Sequence, residues 1–520
     1  MSASTEKKNR QAARAAGTDK KTLAAQEAAR KKAQSKRRWT IGIILVVLLI
    51  AAIIFMNWAT NSGFFAKQTT ALTIGDRNYS VAEVNYNYAG QYLNLANQYG
   101  SYASLIGLDT SAGLAGLDSQ DCPMMEGATW KEYFLLAAED NLMQTKALTD
   151  YAAANGIALT EDEIADVDAS FEGLDDYARS LGYGSANSLL AVNYGAGVTV
   201  DLARQAQLDT ALAGKAYNTV QDSFTYSAQE LEDYYQSLEG ARDVFDYAYY
   251  YVPAELEETT GEDGEPSAAP TEQTLAVARA TADAMVAAYQ DGEEEDAVER
   301  FNAAIDSQLS GEKSTERSKV SGSSLSSTYA EWLMADRKAG DVTVADDANG
   351  SYVVLFLGRD DNHYPLAQVR HILIKAEAGE DGTYSDEAKA AAKARAEEIL
   401  AEWKAGDQTE DSFAALAEAY SMDEGSNTKG GLYDAVAKGQ MVEEFDAFCF
   451  DNHKPGDTAI VYGESAGYAG YHVMYYVGEG ELYSDHIARG ELSSEAITAW
   501  LDELTAGYEV VHASGYKRVG

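Results

Sequence analysis

The chain has 520 residues, 46% hydrophobic and 24% charged, with a formal net charge of −43 at pH 7. At roughly 100 to 200 residues per domain this length holds about two to four domains, each with its own core. The acidity excludes nucleic acid as a partner, because such a body repels a phosphate backbone, and the two cysteines, Cys122 and Cys449, are too few for a disulfide framework.

Residues 1–38 are net basic, so the remainder is more acidic than the whole. From Trp39 to Trp58 the chain has no charge. A helix over this run would measure about 30 Å at ~1.5 Å per residue, the thickness of a hydrocarbon core. Lys36, Arg37 and Arg38 precede it, which predicts a cytoplasmic amino terminus with the body outside the cell. The length of the run and the lack of an Ala-x-Ala site favour a retained single-pass anchor over 39–60 against a cleaved signal peptide.

Next comes a strand-like run, Ala71 to Asp76, with a helix start at Ser80-Val81-Ala82-Glu83. Helical patterns follow over Trp130 to Ala153, Thr160 to Phe171 and Ser227 to Leu238, so 61–239 is read as a helical domain. Beyond it the sequence repeats. Gly292 and Phe301 match Gly406 and Phe413, Lys338 to Val342 match Lys454 to Thr458, and Gly-Glu-Asp-Gly recurs at 261–264 and 379–382. Each copy opens on a strand-like run, Phe245 to Val252 or Val369 to Ile374, and closes on another, Tyr352 to Leu357 or Tyr471 to Val477. This predicts two α+β modules with small sheets. Pro253 to Gln273 reads as a flexible insertion. Cys449, between Phe448 and Phe450, reads as a buried free thiol.

All six histidines fall in the last third of the chain. His371 sits in Arg370-His371-Ile372-Leu373-Ile374 and His472 in Gly470-Tyr471-His472-Val473. Between them lie Ser421-Met422-Asp423-Glu424-Gly425-Ser426, then Lys429-Gly430-Gly431, then Met441-Val442-Glu443-Glu444-Phe445. This ordered set resembles the parvulin-type peptidyl-prolyl cis/trans isomerases, in which His-Ile-Leu-Ile opens the domain and Gly-Tyr-His closes it. The resemblance implies a catalytic set of His371, Asp423 and His472, with Glu424 as runner-up to Asp423. It also implies a substrate-binding wall of Leu373, Tyr433, Met441 and Phe445. Where the family reads Gly-Gly-Asp-Leu-Gly-x-Phe, this chain has Gly430 to Val436, so Tyr433 would have to supply the ring missing at Val436. No cofactor or metal is expected, since the histidines lack a close ligand pair.

The first copy lacks this set, with Tyr247 at the expected place of His371 and Tyr352 or Val353 at that of His472. The whole chain resembles foldases of the PrsA and SurA type. The implied architecture is α+β: a basic tail (1–38), an anchor (39–60), a helical chaperone-like domain (61–239), a degenerate parvulin-like module (240–361), the isomerase domain (362–480) and a helical extension (481–520). The implied partners are unfolded, newly exported polypeptides containing proline and, through the anchor, the membrane; a homodimer is left open. The alternatives are a binding chaperone whose isomerase module is weak or silent, and a structural surface protein that merely contains the fold.

Overall fold

The computed structural model describes residues 3–16, 24, 27, 30–32, 43–56, 59, 63–260, 266–379, 382–465 and 467–520. Among these no helix is long and apolar enough to cross a membrane. The expected single transmembrane helix, and the cell-membrane localisation built on it, are therefore corrected. The described helical run 43–56 would reach only about 21 Å at ~1.5 Å per residue, short of a ~30 Å hydrocarbon core. Trp39 and Trp58, the ends of the uncharged run, lie outside the described residues, as do 261–264 and 380–381 of the recurring acidic turns. What stands of the expected fold class is a mixture of helix and sheet in two compact units, one comprising 1–224 with 496–520 and the other 225–495.

The first unit is mainly helical. Three of its helices start where a hydroxyl residue precedes a glutamate by three positions, because each pair satisfies two orphan amides. Ser80 with Glu83 opens Val81–Tyr99, Thr129 with Glu132 opens Trp130–Asn155, and Thr160 with Glu163 opens Glu161–Ala169. Trp130, Phe134, Tyr88 and Leu72 fill the core, with Trp130 stacked on Phe134 at 5.5 Å between ring centroids. A hairpin of β1 (Thr70–Ile74) and β2 (Arg77–Ser80) gains a third antiparallel strand from the carboxy terminus, Val510–His512, beside β1.

The second unit holds two four-stranded antiparallel sheets. The strands of the first are β3 (Val244–Pro253), β6 (Thr315–Ser321), β7 (Val342–Asp347) and β8 (Gly350–Asp360). Between β3 and β6, β4 (Leu256–Thr260) and β5 (Pro266–Pro270) pair as a separate hairpin. The expected flexible insertion is thus partly ordered by backbone pairing that its polar composition did not announce. The second sheet is formed by β9 (Pro365–Lys375), β10 (Leu432–Val436), β11 (Thr458–Ser465) and β12 (Tyr468–Leu482). Spatial orders are β6-β3-β8-β7 and β10-β9-β12-β11, the same pattern twice.

Backbone bonds align the copies residue by residue. Gly340 N–H donates to the Phe356 carbonyl and Phe356 N–H to that of Asp341, each at 2.8 Å; Gly456, Tyr476 and Asp457 repeat this at 2.9 Å. Phe356 therefore stands where Tyr476 does. Phe356 faces Tyr247 across the sheet and Tyr476 faces Val369, which puts Tyr249 at the place of His371 and Tyr352 at that of His472. The expected match of Tyr247 with His371 is corrected by two residues. Positions 247 and 249 share a strand face, so side-chain pattern could not separate them; cross-strand register does.

In the second sheet the faces divide as strand periodicity requires. Ile372 and Ile374 pack under the helices Asp386–Ala405 and Glu410–Tyr420 through Ala396, Ile399 and Phe413. Val369, Val436 and Met474 pack on the other side against Phe445 and Phe448 of the helix Glu443–Phe450. Cys122 and Cys449 are free and buried, and burial pushes the Cys449 thiol up to about 12.

Candidate active site

His371 and His472 project from the central strands β9 and β12 onto the face that carries Phe445. Both are buried, at 3% and 4% exposure, so their polar atoms need partners within the fold. The rings lie nearly parallel, centroids 5.2 Å apart, with the Nδ1 atoms at 3.0 Å. His371 Nε2 lies 3.0 Å from Asp423 Oδ2 and 3.2 Å from Ser426 Oγ. At the other end, His472 Nε2 lies 3.1 Å from the Tyr468 hydroxyl.

Asp423 accepts from three side chains. Besides His371, the Ser426 hydroxyl donates to it at 2.5 Å and the Tyr433 hydroxyl at 3.1 Å. The His371 bond first, then Ser426 and Tyr433, hold its carboxyl well below the usual carboxylate range against the opposing effect of burial. Burial, followed by the nearby His371, depresses His472 to about 3, so this imidazole is neutral at neutral pH. The ionised carboxylate fixes one end of the chain. An ionised Asp423 is acceptor-only, so it takes its bond from His371 Nε2–H; the facing Nδ1 atoms of His371 and His472 bond to each other, and His472 Nε2 bonds to the Tyr468 hydroxyl. The result is one continuous hydrogen-bonded relay that links Tyr468, His472, His371 and Asp423.

The loop bearing Asp423 is pinned to β9 by backbone and side-chain bonds. Met422 N–H donates to the Leu373 carbonyl at 2.8 Å, and Leu373 N–H donates to Ser421 Oγ at 3.1 Å. Arg370 donates to the carbonyls of Lys429 and Gly430 at 2.9 Å each and pairs with Glu410 at 2.9 Å. His371 N–H reaches the Gly431 carbonyl at 2.9 Å. On β11, Gly463 leaves room for the relay, because a Cβ there would lie 2.7 Å from His472 Nε2.

Of the residues expected at the site, His371, Asp423 and His472 are brought into direct hydrogen-bond contact, and Glu424 is solvent-exposed. The Phe445 ring lies 5.3 Å from both imidazoles, and Tyr433 lies 5.2 Å from His371. Met441 packs at the edge of the Phe445 cluster. Leu373 is buried and opposite His472 in register. Val436 is fully buried in that cluster and offers no ring to the site. Ser426 and Tyr468 were missed by the sequence reading. Tyr468 carries a legible signal, since it precedes His472 by four residues and so shares its strand face. Tyr468→Phe is expected to leave a buried ring nitrogen unpaired and to cost about 1 kcal/mol, seen as a lower urea midpoint with unchanged slope.

Residues 352–475 match the model of the PPIC-type PPIase domain. The chain carries a PPIC-type peptidyl-prolyl isomerase domain. The match encloses the whole relay, from His371 to His472. The chaperone SurA of Alkalilimnicola ehrlichii is 34% identical over 127 residues, which is 24% of this chain and 27% of that protein. Among solved structures, the peptidylprolyl isomerase PrsA of Bacillus cereus is 28% identical over 28% of this chain and 49% of that one, with a TM-score of 0.18. PrsA of Bacillus subtilis is 14% identical over 73% and 87%, with a TM-score of 0.28. The chain thus spans about a quarter of the SurA relative and half of the B. cereus structure; the assignment of the isomerase domain stands on the family match.

Proposed function

We propose that the chain is a foldase of the PrsA and SurA kind, in which the PPIC-type domain rotates Xaa-Pro bonds of unfolded polypeptides and the helical residues of 61–239 and 481–520 hold those polypeptides. In this reading 362–480 is the catalytic domain and 240–361 a module without its catalytic set. The observation that carries it is the buried relay from Tyr468 to Asp423 closed by the Phe445 ring.

Rotation about Xaa-Pro crosses a barrier of ~18–20 kcal/mol, because amide resonance is lost in the twisted state. No nucleophile or metal is required. Phe445, Met441, Leu373 and Tyr433 form the apolar seat of the prolyl ring, and His371, His472 and Asp423 orient a polar edge toward the twisting amide, which the site binds more tightly than either planar form. The relay holds both imidazoles in fixed orientations, and burial keeps the His472 ring neutral at neutral pH.

The test is proline isomerisation of a short Xaa-Pro peptide by the full chain. Asp423→Asn replaces a charge-assisted bond of about 1.5–3 kcal/mol, which predicts a roughly 10- to 100-fold fall in kcat/KM. Full activity in Asp423→Asn and His371→Ala would refute the relay, and no turnover by the unaltered chain would refute the enzyme. In that last case the second reading, a binding chaperone with a silent isomerase site, gains from the ring missing at Val436. Suppression of client aggregation by the full chain tests the holding role, and a client that aggregates undiminished removes it.

A further inference from the structure

The first sheet of the second unit repeats the strand order and register of the isomerase sheet, so the point equivalent to the isomerase site is defined by backbone bonds alone. Tyrosines occupy it. Tyr249 and Tyr352 replace His371 and His472, with ring centroids 5.8 Å apart. Tyr329 replaces Phe445, at 6.2 Å from Tyr249 and 5.4 Å from Tyr352. Arg317 stands at the register position of Tyr433, since the two face Tyr247 and Val369 across equivalent strands. Its guanidinium lies 5.7 Å from the Tyr249 ring centre and donates to the Tyr249 hydroxyl at 3.4 Å. Tyr329 is buried, whereas Tyr249, Tyr251 and Tyr352 are each half-buried.

We infer that this tyrosine cluster is a second proline-recognition site, which takes extended proline-containing segments of a polypeptide and holds them without turnover. The inference deepens the proposed function and rests on its reading of the Phe445 side as the seat of a prolyl ring. A pyrrolidine ring has no N–H to satisfy, and it stacks on aromatic faces in the grooves that bind polyproline-type helices. Tyrosine suits the task because it adds a flat apolar face and a hydroxyl while losing few rotamers on binding. Arg317 supplies donors for the peptide carbonyls that flank a proline. The site lacks any buried imidazole–carboxylate relay, so no group is held in place to favour the twisted amide over the planar one. Recognition remains and rotation does not.

The experiment uses the full chain, a peptide of Ala-Pro repeats and its counterpart with every proline replaced by alanine. Hydrogen exchange is followed at residues 245–252 and 351–356 as peptide is added. The Ala-Pro peptide is expected to give saturable protection there and the alanine peptide none. In the Tyr249→Ser/Tyr352→Ser double variant the midpoint of protection is expected to rise at least about tenfold, as for loss of a pair of aromatic anchors. The Tyr249→Phe/Tyr352→Phe variant keeps the stacking faces and is expected to stay within about threefold of the original. Turnover of a short Xaa-Pro peptide at the isomerase domain is unchanged in both. No protection of these strands in the unaltered chain, equal protection by the alanine peptide, or an unmoved midpoint in a folded serine variant each overturns the inference. The exchange readout is local to the first sheet, so loss of isomerase turnover is distinguished from failure of this site. Should the serine variant not fold, the two peptides on the unaltered chain still decide.

Discussion

Gly431→Ala is expected to cost the isomerase domain at least about 3 kcal/mol, with loss of most of its turnover. Gly431 adopts φ +72°, and a Cβ there would lie 2.2 Å from the His371 carbonyl oxygen. The left-handed conformation alone costs an alanine about 1–2 kcal/mol. The contact is with backbone rather than with a flexible side chain, so relief requires β9 and the glycine loop to separate. That separation breaks the 2.9 Å bond from His371 N–H to the Gly431 carbonyl and the 2.9 Å bond from Gly431 N–H to the Ser426 carbonyl. Ser426 and His371 are both partners of Asp423, so stability and site geometry should fail together. Urea unfolding followed by the fluorescence of Trp403, which packs against Phe413 inside this domain, reads the effect. Gly478→Ala is the control: nothing lies within 4 Å of its added Cβ, and a change within about 0.5 kcal/mol is expected. Equal midpoints for Gly431→Ala and the unaltered chain would show that the loop is not held against β9 as described.

Acid should destabilise the same domain well before carboxylates titrate. Burial depresses folded His472 to about 3 from the 6.5 of an ordinary imidazole. Between those values the unfolded chain binds a proton that the folded one refuses, so stability falls as pH falls through this window. At about 1.4 kcal/mol per pH unit the loss reaches about 2 kcal/mol at pH 5 and about 4–5 kcal/mol near pH 3. Asp423 acts in the same direction but later. Its folded carboxyl is held low, so its contribution is complete above 3.8 and is lost only below it. His363 has the opposite sign. Burial opposes its charge, yet bonding to Glu232 and Asp361 raises its pKa, so its contribution is present in acid and is lost as pH rises through the folded value. Comparing the unaltered chain with His472→Gln isolates the effect. The urea midpoint of the unaltered chain should fall steeply from pH 6.5 to 5, and that of His472→Gln should not. Parallel curves would mean that His472 is accessible to protons in the folded state.

Several features were legible because they rest on local chemistry. The capping pairs Ser80 with Glu83 and Thr160 with Glu163 mark helix starts through contacts three residues apart. The strand runs around His371 and His472 follow from alternation of burial, and the resemblance of the ordered motifs to the parvulin-type isomerases implied the three residues that meet in the relay. Other features depend on partners far along the chain. Tyr468 can be placed on the face of His472 from sequence, but its bond to Nε2 requires the space left by Gly463 on the neighbouring strand.

By itself the sequence determined that two copies of one α+β pattern lie in series, and that only the second holds paired histidines and a carboxylate. It also placed an apolar run near the amino terminus, whose reading as a membrane span the described helices do not support. Tertiary structure alone decided that Tyr249, not Tyr247, stands in the place of His371, and that the insertion after β3 pairs as a hairpin. The reason is the same in each case. Periodicity reports which face of a strand a residue occupies, whereas pairing partners are chosen by the folded chain: Tyr247 meets Phe356 across the first sheet, Leu256 meets Pro270 in the hairpin, and the His371 side chain reaches that of Asp423 at a separation of 52.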